Sequence, residues 1–337
     1  MSHSTISKVA FIGTGIMGSA IASHILDAGY ELVVHNRTKA KAEALVERGA
    51  AWAESVAQAV TGADAVLTMV GYPEDVEEVY LASDGVLAHA RPGAWLVDLT
   101  TSSPELARDI HDAAEVEDVH ALDCPVTGGQ QGALDGTLTL IVGAAERDLP
   151  EELLALLRAF SSKMCFFGHA GAGQTAKLCN QVSLASCMVG YADALSLAEQ
   201  AGLDPHAVLD LMASGTGGSG ASRTLAPKAL AGDYAPGFLA EHLRKDLGLA
   251  LAHSEEFELT LPGTETAFAL FDLLCTVGGS RLGTQALSLL YASEADGAAA
   301  GLDWSLAERR DGDECDDDEC CCGHHHDGDG CCGHHHR

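Results

Sequence analysis

Short apolar runs alternate with longer amphipathic stretches along the first half of the chain. The runs at Lys8–Ile12, Glu31–His35, 65–69, Trp95–Asp98, 119–123, Leu138–Val142 and 164–167 read as strands, with helical stretches between most of them. This β-α alternation predicts a parallel, doubly wound α/β sheet with right-handed crossovers. After Gly168 the strand-like runs vanish. Residues 174–200 read as one long helix closed by Ala201-Gly202, since glycine suits a helix C-terminus. Asp204-Pro205 opens another, with Asp as cap and Pro at the first helical position. Further helices are expected over 239–254, 264–277 and 283–292. The Gly/Ser-rich stretch 214–222 is either a flexible loop or a loop over the cleft between domains. The expected organisation is a doubly wound α/β domain over 1–170 and an all-α domain over 171–305. A low-complexity tail over 306–337 follows, too polar and aperiodic to build a core.

Gly13-Thr14-Gly15-Ile16-Met17-Gly18 is a GxGxxG turn, set directly after a predicted strand and before a predicted helix. In such a turn the first glycine allows the sharp reversal and the second lets the backbone approach a pyrophosphate. The third lets helix and strand pack closely. The helix N-terminus then offers free N–H groups to phosphate. The second strand ends in His35-Asn36-Arg37-Thr38, without the acidic residue that usually bonds the ribose of NAD. A guanidinium pairs well with a phosphate dianion, and the Thr38 hydroxyl can add a donor. The segment therefore favours NADP and leaves NAD open.

Two later segments carry reaction chemistry. Asp123-Cys124-Pro125-Val126-Thr127-Gly128-Gly129 leaves a strand into a glycine turn. Successive N–H groups there can form an anion nest, with the Thr127 hydroxyl as one more donor and a substrate carboxylate as occupant. The plainer alternative is a tight loop with no ligand. In the second segment, Gly171-Ala172-Gly173-Gln174-Thr175-Ala176-Lys177-Leu178-Cys179-Asn180-Gln181, the residues Lys177, Asn180 and Gln181 share one helical face. Burial would lower the Lys177 pKa toward the range useful for proton transfer, and Asn180 or Gln181 would orient it or the substrate. The alternative is a lysine that snorkels to solvent at a helix start.

Composition narrows the partners. At 337 residues and 47% hydrophobic, the chain is long enough for two domains with sizeable cores. A net charge of −30 argues against nucleic acid and against anionic membranes. The opening apolar run is too short for a signal peptide or a membrane span, so a cytoplasmic location is expected. Cys124, Cys165, Cys179, Cys187 and Cys275 form no CxxC pair and read as small buried residues. The tail differs. Cys321-Cys322-Gly323-His324-His325-His326 recurs as Cys331-Cys332-Gly333-His334-His335-His336. Thiolates and imidazoles are ligands for Ni, Zn or Cu, though this spacing fits no ordered zinc module. The tail is either metal-binding or incidental low complexity.

Together these motifs resemble the β-hydroxyacid dehydrogenase family, which includes 3-hydroxyisobutyrate dehydrogenase and the tartronate, glyoxylate and succinic semialdehyde reductases. Four segments carry the resemblance, in order: FIGTGIMG, DCPVTGGQQGALDGTLTLIVG, GAGQTAKLCNQ and KDLGLA, within a span of 8–295. The resemblance implies a Rossmann-type domain and a helical domain joined by a long helix. It implies Lys177 as catalytic acid/base, with Thr127, Gly128 and Gly129 on the substrate carboxylate and Asn180 or Gln181 beside the lysine. It further implies cofactor contacts from Thr101 and Lys245, a supporting role for Asp246, Phe238 as a pocket wall, and a homodimer or homotetramer. The chain departs from the family in having Thr127 where Ser is frequent, and at 71–80 and 283–287. The expected activity is hydride transfer between NADP and a small 3-hydroxy acid or semialdehyde. The alternatives are imine reduction on the same scaffold, or a non-catalytic nucleotide-binding protein with a metal-binding tail.

Overall fold

The computed structural model describes residues 5–308. Among these residues there are nine strands: β1 (Lys8–Ile12), β2 (Glu31–His35), β3 (Ala51–Trp52), β4 (Ala65–Thr68), β5 (Trp95–Asp98), β6 (His120–Asp123), β7 (Val126–Thr127), β8 (Leu138–Val142) and β9 (Ser161–Phe166). The first six form one parallel sheet in the order β3-β2-β1-β4-β5-β6. The chain thus runs outward from β1 to one edge, returns to β4 and continues to the other edge. The crevice at the carboxyl ends of β1 and β4 is the topological switch point where such sheets bind ligands. Val9–Ile12 and Ala65–Thr68 are buried throughout, as expected of central strands covered by helices on both faces.

The last three strands do not extend that sheet. β7 pairs antiparallel with β8, and β8 pairs parallel with β9, in a separate three-stranded sheet. Pro125 stands between β6 and β7, and a proline cannot donate to a ladder. The two sheets stay joined at this corner, where Gly143 N donates to Asp123 O and Ile141 N to Pro125 O, each at 2.9 Å.

The second half of the described chain is helical. Its axis is a 29-residue helix, Ala172–Gln200, against which Ala240–Glu255 and Pro262–Thr276 pack. Met188, Tyr191, Leu195, Leu243, Leu247, Phe271 and Leu274 form the core between them. The predicted helix over 283–292 is a 3-10 helix, Thr284–Tyr291. Its start is tied outward, with Gln285 Nε2 donating to the carbonyls of Asp233 at 2.9 Å and Ala235 at 3.1 Å. The Gly/Ser-rich stretch is irregular over 215–219 only. Ser219 and Ser222 then cap a short helix, Gly220–Thr224. Among the described residues no helix is long and apolar enough to cross a membrane.

Candidate active site

The glycine turn follows β1 and opens the helix Ile16–Asp27. Gly13 takes φ +96°, and a Cβ there would lie 2.1 Å from the Met69 carbonyl oxygen. A Cβ on Gly18 would lie 1.9 Å from the Gly13 carbonyl oxygen. Gly15 faces open space, and a Cβ there would have no neighbour within 4 Å. The two outer glycines thus serve packing, and the middle one leaves an approach for a ligand. Among the described residues no side chain caps the helix N-terminus, and the Thr14 hydroxyl is buried without a partner. Ile16 is exposed and Met17 half-buried at this rim.

At the end of β2 the expected ligands divide. Asn36 braces the turn: its Oδ1 accepts from Thr14 N at 3.1 Å and its Nδ2 donates to Thr38 O at 2.9 Å. Arg37 is 81% exposed and paired with Asp75, Nη1 to Oδ1, at 2.9 Å. Thr38 is exposed, and its side chain makes no capping bond to the 3-10 turn Lys39–Ala42.

The long helix is anchored to the sheet by the carboxylate that opens the Asp123–Gly129 segment, in a role the sequence did not disclose. Asp123, at the end of β6, accepts from Gly171 N and Gln174 N, each at 2.9 Å. Gly171 takes φ +80°, and Gly173 lies so close to Ile141, Gly143 and Asp123 that a Cβ would meet each within 2.8 Å. Gln174 is fully buried and clamps the loop after β5. Its Oε1 accepts from Ser102 N at 2.9 Å, and its Nε2 donates to Thr100 O at 2.8 Å. Asp98 holds the same loop from beneath, accepting from Thr100 N at 3.0 Å and Thr68 Oγ1 at 2.8 Å. Burial lifts the Asp98 carboxyl to about 6.

One turn beyond Gly173, Lys177 is 7% exposed. Its Nζ donates to Gln181 Oε1 at 3.0 Å, and Asn180 Nδ2 donates to the same oxygen at 3.0 Å. Gln181 Nε2 donates in turn to Asp246 Oδ2 at 2.7 Å. Asp246 also pairs with Lys245, 3.1 Å from Nζ to Oδ1. Lys245 crosses to the sheet half, donating to Thr101 O at 2.6 Å and Gly71 O at 3.2 Å. Burial pulls the Lys177 ammonium down to about 8; Asp246 opposes that shift and Lys245 adds to it. The lysine therefore does not snorkel. It sits in a buried network whose members come from both halves of the chain.

The glycine turn that follows β7 turns on two left-handed residues. Gly128 and Gly129 take φ +133° and +63°, and Thr127 pairs with Thr139 of β8. Gly129 faces open space, while Gly128 is backed by Leu138. Phe238 joins an aromatic edge that the sequence did not disclose. Its ring lies 6.3 Å from that of His242, which meets Tyr72 edge-on at 5.8 Å. The available signal was helical spacing: His242 stands three and four residues before Lys245 and Asp246. The cysteines and histidines of the tail, from Cys321 to His336, lie outside the described residues.

The profile of the NAD binding domain of 6-phosphogluconate dehydrogenase matches residues 8–171. That of the NAD-binding segment of NADP-dependent 3-hydroxyisobutyrate dehydrogenase matches 171–291. An oxidoreductase of Bacillus subtilis (strain 168), YkwC, is 42% identical over 283 residues, covering 84% of this chain and 98% of that protein. The chain belongs to the β-hydroxyacid dehydrogenase family. Another relative, the NAD-dependent L-serine dehydrogenase of Pseudomonas aeruginosa, is 37% identical over 280 residues, 81% of this chain and 94% of its own length. Among solved structures, the Mycobacterium tuberculosis 3-hydroxyisobutyrate dehydrogenase with L-serine superposes with a TM-score of 0.78. It is 31% identical and covers 86% of this chain and 100% of its own. The present chain is accordingly an oxidoreductase of the β-hydroxyacid dehydrogenase type, with a nicotinamide-nucleotide-binding half built on the six-stranded sheet.

Proposed function

We propose that the protein is an NADP-linked dehydrogenase that interconverts a small 3-hydroxy acid and the matching semialdehyde or oxo acid, with Lys177 as acid and base. The observation that carries this reading is a buried ammonium brought to about 8 and aimed by a single acceptor, Gln181. A lysine in that state holds or releases a proton near neutral pH, which general acid–base catalysis needs. A surface lysine near its ordinary value would stay protonated.

The turn fits a dinucleotide by its own features: an uncapped helix N-terminus, an open face at Gly15 and an orphaned Thr14 hydroxyl. Gly13 to Gly18 would hold its pyrophosphate. When bound, the nicotinamide supplies the hydride acceptor or donor. Neutral Lys177 Nζ takes the hydroxyl proton during oxidation, and the protonated amine returns it during reduction. Gln181 and Asp246 keep the amine pointed, and Asn180 steadies the Gln181 oxygen. The N–H groups of Gly128 and Gly129 and the Thr127 hydroxyl would bind the substrate carboxylate, orienting the reacting carbon. Phe238 walls the pocket. Lys245, tied to the carbonyls of Thr101 and Gly71, and Thr101 would flank the cofactor. Arg37 and Thr38 would take the 2′-phosphate, which favours NADP; the Arg37 side chain is exposed on a flexible stem and is paired with Asp75.

The deciding experiment is a screen of NADPH consumption by the full chain over glyoxylate and succinic, methylmalonic and tartronic semialdehydes. With the best substrate, Lys177→Ala should lower kcat by about 10²–10⁴-fold while NADPH binding is kept. Near-normal turnover in that variant would remove Lys177 from the mechanism.

A further inference from the structure

The pair Arg37–Asp75 links the end of β2 to the first turn of the helix Pro73–Leu81, which follows β4. Because β1 lies between β2 and β4, the two side chains meet across the carboxyl end of β1, where the glycine turn begins. Their freedom is unequal. Asp75 is fixed, since its Oδ2 accepts from Tyr72 N at 3.1 Å as a helix cap and its side chain is 16% exposed. Arg37 reaches it on an exposed, flexible stem, 2.9 Å away. The acidic residue missing from the end of β2 is thus supplied by another element, well further along the chain.

We infer that Asp75 is a specificity-determining residue that narrows the gap between NADP(H) and NAD(H). This inference rests on the reading of Arg37 as the 2′-phosphate donor. With a plain 2′-hydroxyl in place, the Arg37–Asp75 pair persists and nothing is lost. With a 2′-phosphate, one guanidinium must serve two anions. Its five donors can be divided, but its single charge cannot. The fixed carboxylate also repels the dianion. Asp75 therefore penalises NADP(H) and leaves NAD(H) unaffected. An exposed ion pair of this kind is worth a factor of up to about five in affinity, which sets the size of the effect.

The test is fluorescence titration of NADPH and NADH with the full chain carrying Asp75→Asn, Asp75→Ser or Arg37→Gln. Asn and Ser both keep an acceptor for Tyr72 N, so the helix cap survives, and thermal melting verifies the fold. The expected result is a NADPH Kd about three- to fivefold lower in both Asp75 variants, with the NADH Kd unchanged. An unchanged NADPH Kd, or an equal change for both cofactors, overturns the inference. Arg37→Gln separates the two readings. If it weakens NADPH alone while the Asp75 variants do nothing, only the role of Asp75 falls. If it leaves NADPH binding intact, the assignment of Arg37 falls and the role of Asp75 with it.

Discussion

Lys245 donates to the carbonyl of Thr101 at 2.6 Å, so a side chain of the helical half closes directly on the backbone of the sheet half. The same ammonium lies 3.1 Å from Asp246 Oδ1, and Asp246 in turn accepts from Gln181, the partner of Lys177. The groups that join the two halves here therefore also modulate the proton affinity of Lys177, which burial lowers.

That arrangement gives opposite shifts for two variants. On the proposed mechanism oxidation of the hydroxy acid uses neutral Lys177, so its rate should climb as pH rises through about 8, and reduction, which uses the protonated form, should decline over the same range. Asp246 raises the Lys177 pKa and Lys245 lowers it. Asp246→Asn, which keeps an acceptor for Gln181, should move both limbs to lower pH. Lys245→Met should move them to higher pH. The measurement is kcat against pH in each direction. Shifts of the same sign in the two variants would break the link between this network and catalysis.

The glycine turn makes a second pair of contrasting expectations. A Cβ on Gly18 would strike the Gly13 carbonyl at 1.9 Å, so Gly18→Ala should displace the helix, lower the Tm and weaken cofactor binding together. A Cβ on Gly15 meets no protein atom within 4 Å, so Gly15→Ala should leave the Tm within a degree or two of the parent, about the size of a small surface effect. It should nonetheless cost cofactor affinity, because the methyl occupies the face left for the pyrophosphate. Melting curves with and without NADPH separate the two cases. Equal Tm losses would mean that Gly15 is a structural glycine.

Much of this was legible in the chain, and the limits have physical causes. Gly13 and Gly18 announced themselves because a missing Cβ at two fixed offsets has few other uses. Lys177 stood out as a cation on a face otherwise set to be buried, with Gln181 one turn on. Asn36 was expected at the cofactor for its place at the end of β2; its bonds to Thr14 N and Thr38 O, which brace the glycine turn, had no signal in the chain. The roles of Asp123 and Asp75 escaped notice because they depend on partners remote in sequence: Asp123 caps a helix 48 residues away through Gly171 N. β3 and β7 are two residues each, too short for any period to register. The split into two sheets was equally silent, since a strand's own residues do not say which neighbour it will pair with.

Gln174 supplies the last expectation. It is fully buried in the first turn of the long helix and satisfies two backbone groups of the loop after β5, Ser102 N and Thr100 O. Gln174→Leu fills a similar volume but leaves both groups unpaired, at ~1–3 kcal/mol each. The variant should lose about 2–6 kcal/mol of stability by denaturant titration. Because Thr101 lies between those two groups and carries the carbonyl that Lys245 holds, the loss should extend to function. The loop would keep Asp98 beneath it but lose one of its two ties to the helical half, and KM should rise more than kcat falls. Gln174→Glu tests the geometry: it keeps an acceptor for Ser102 N but sets a carboxylate oxygen against Thr100 O, so it should be no better than Leu. Full stability in either variant would show that Gln174 does not hold the loop.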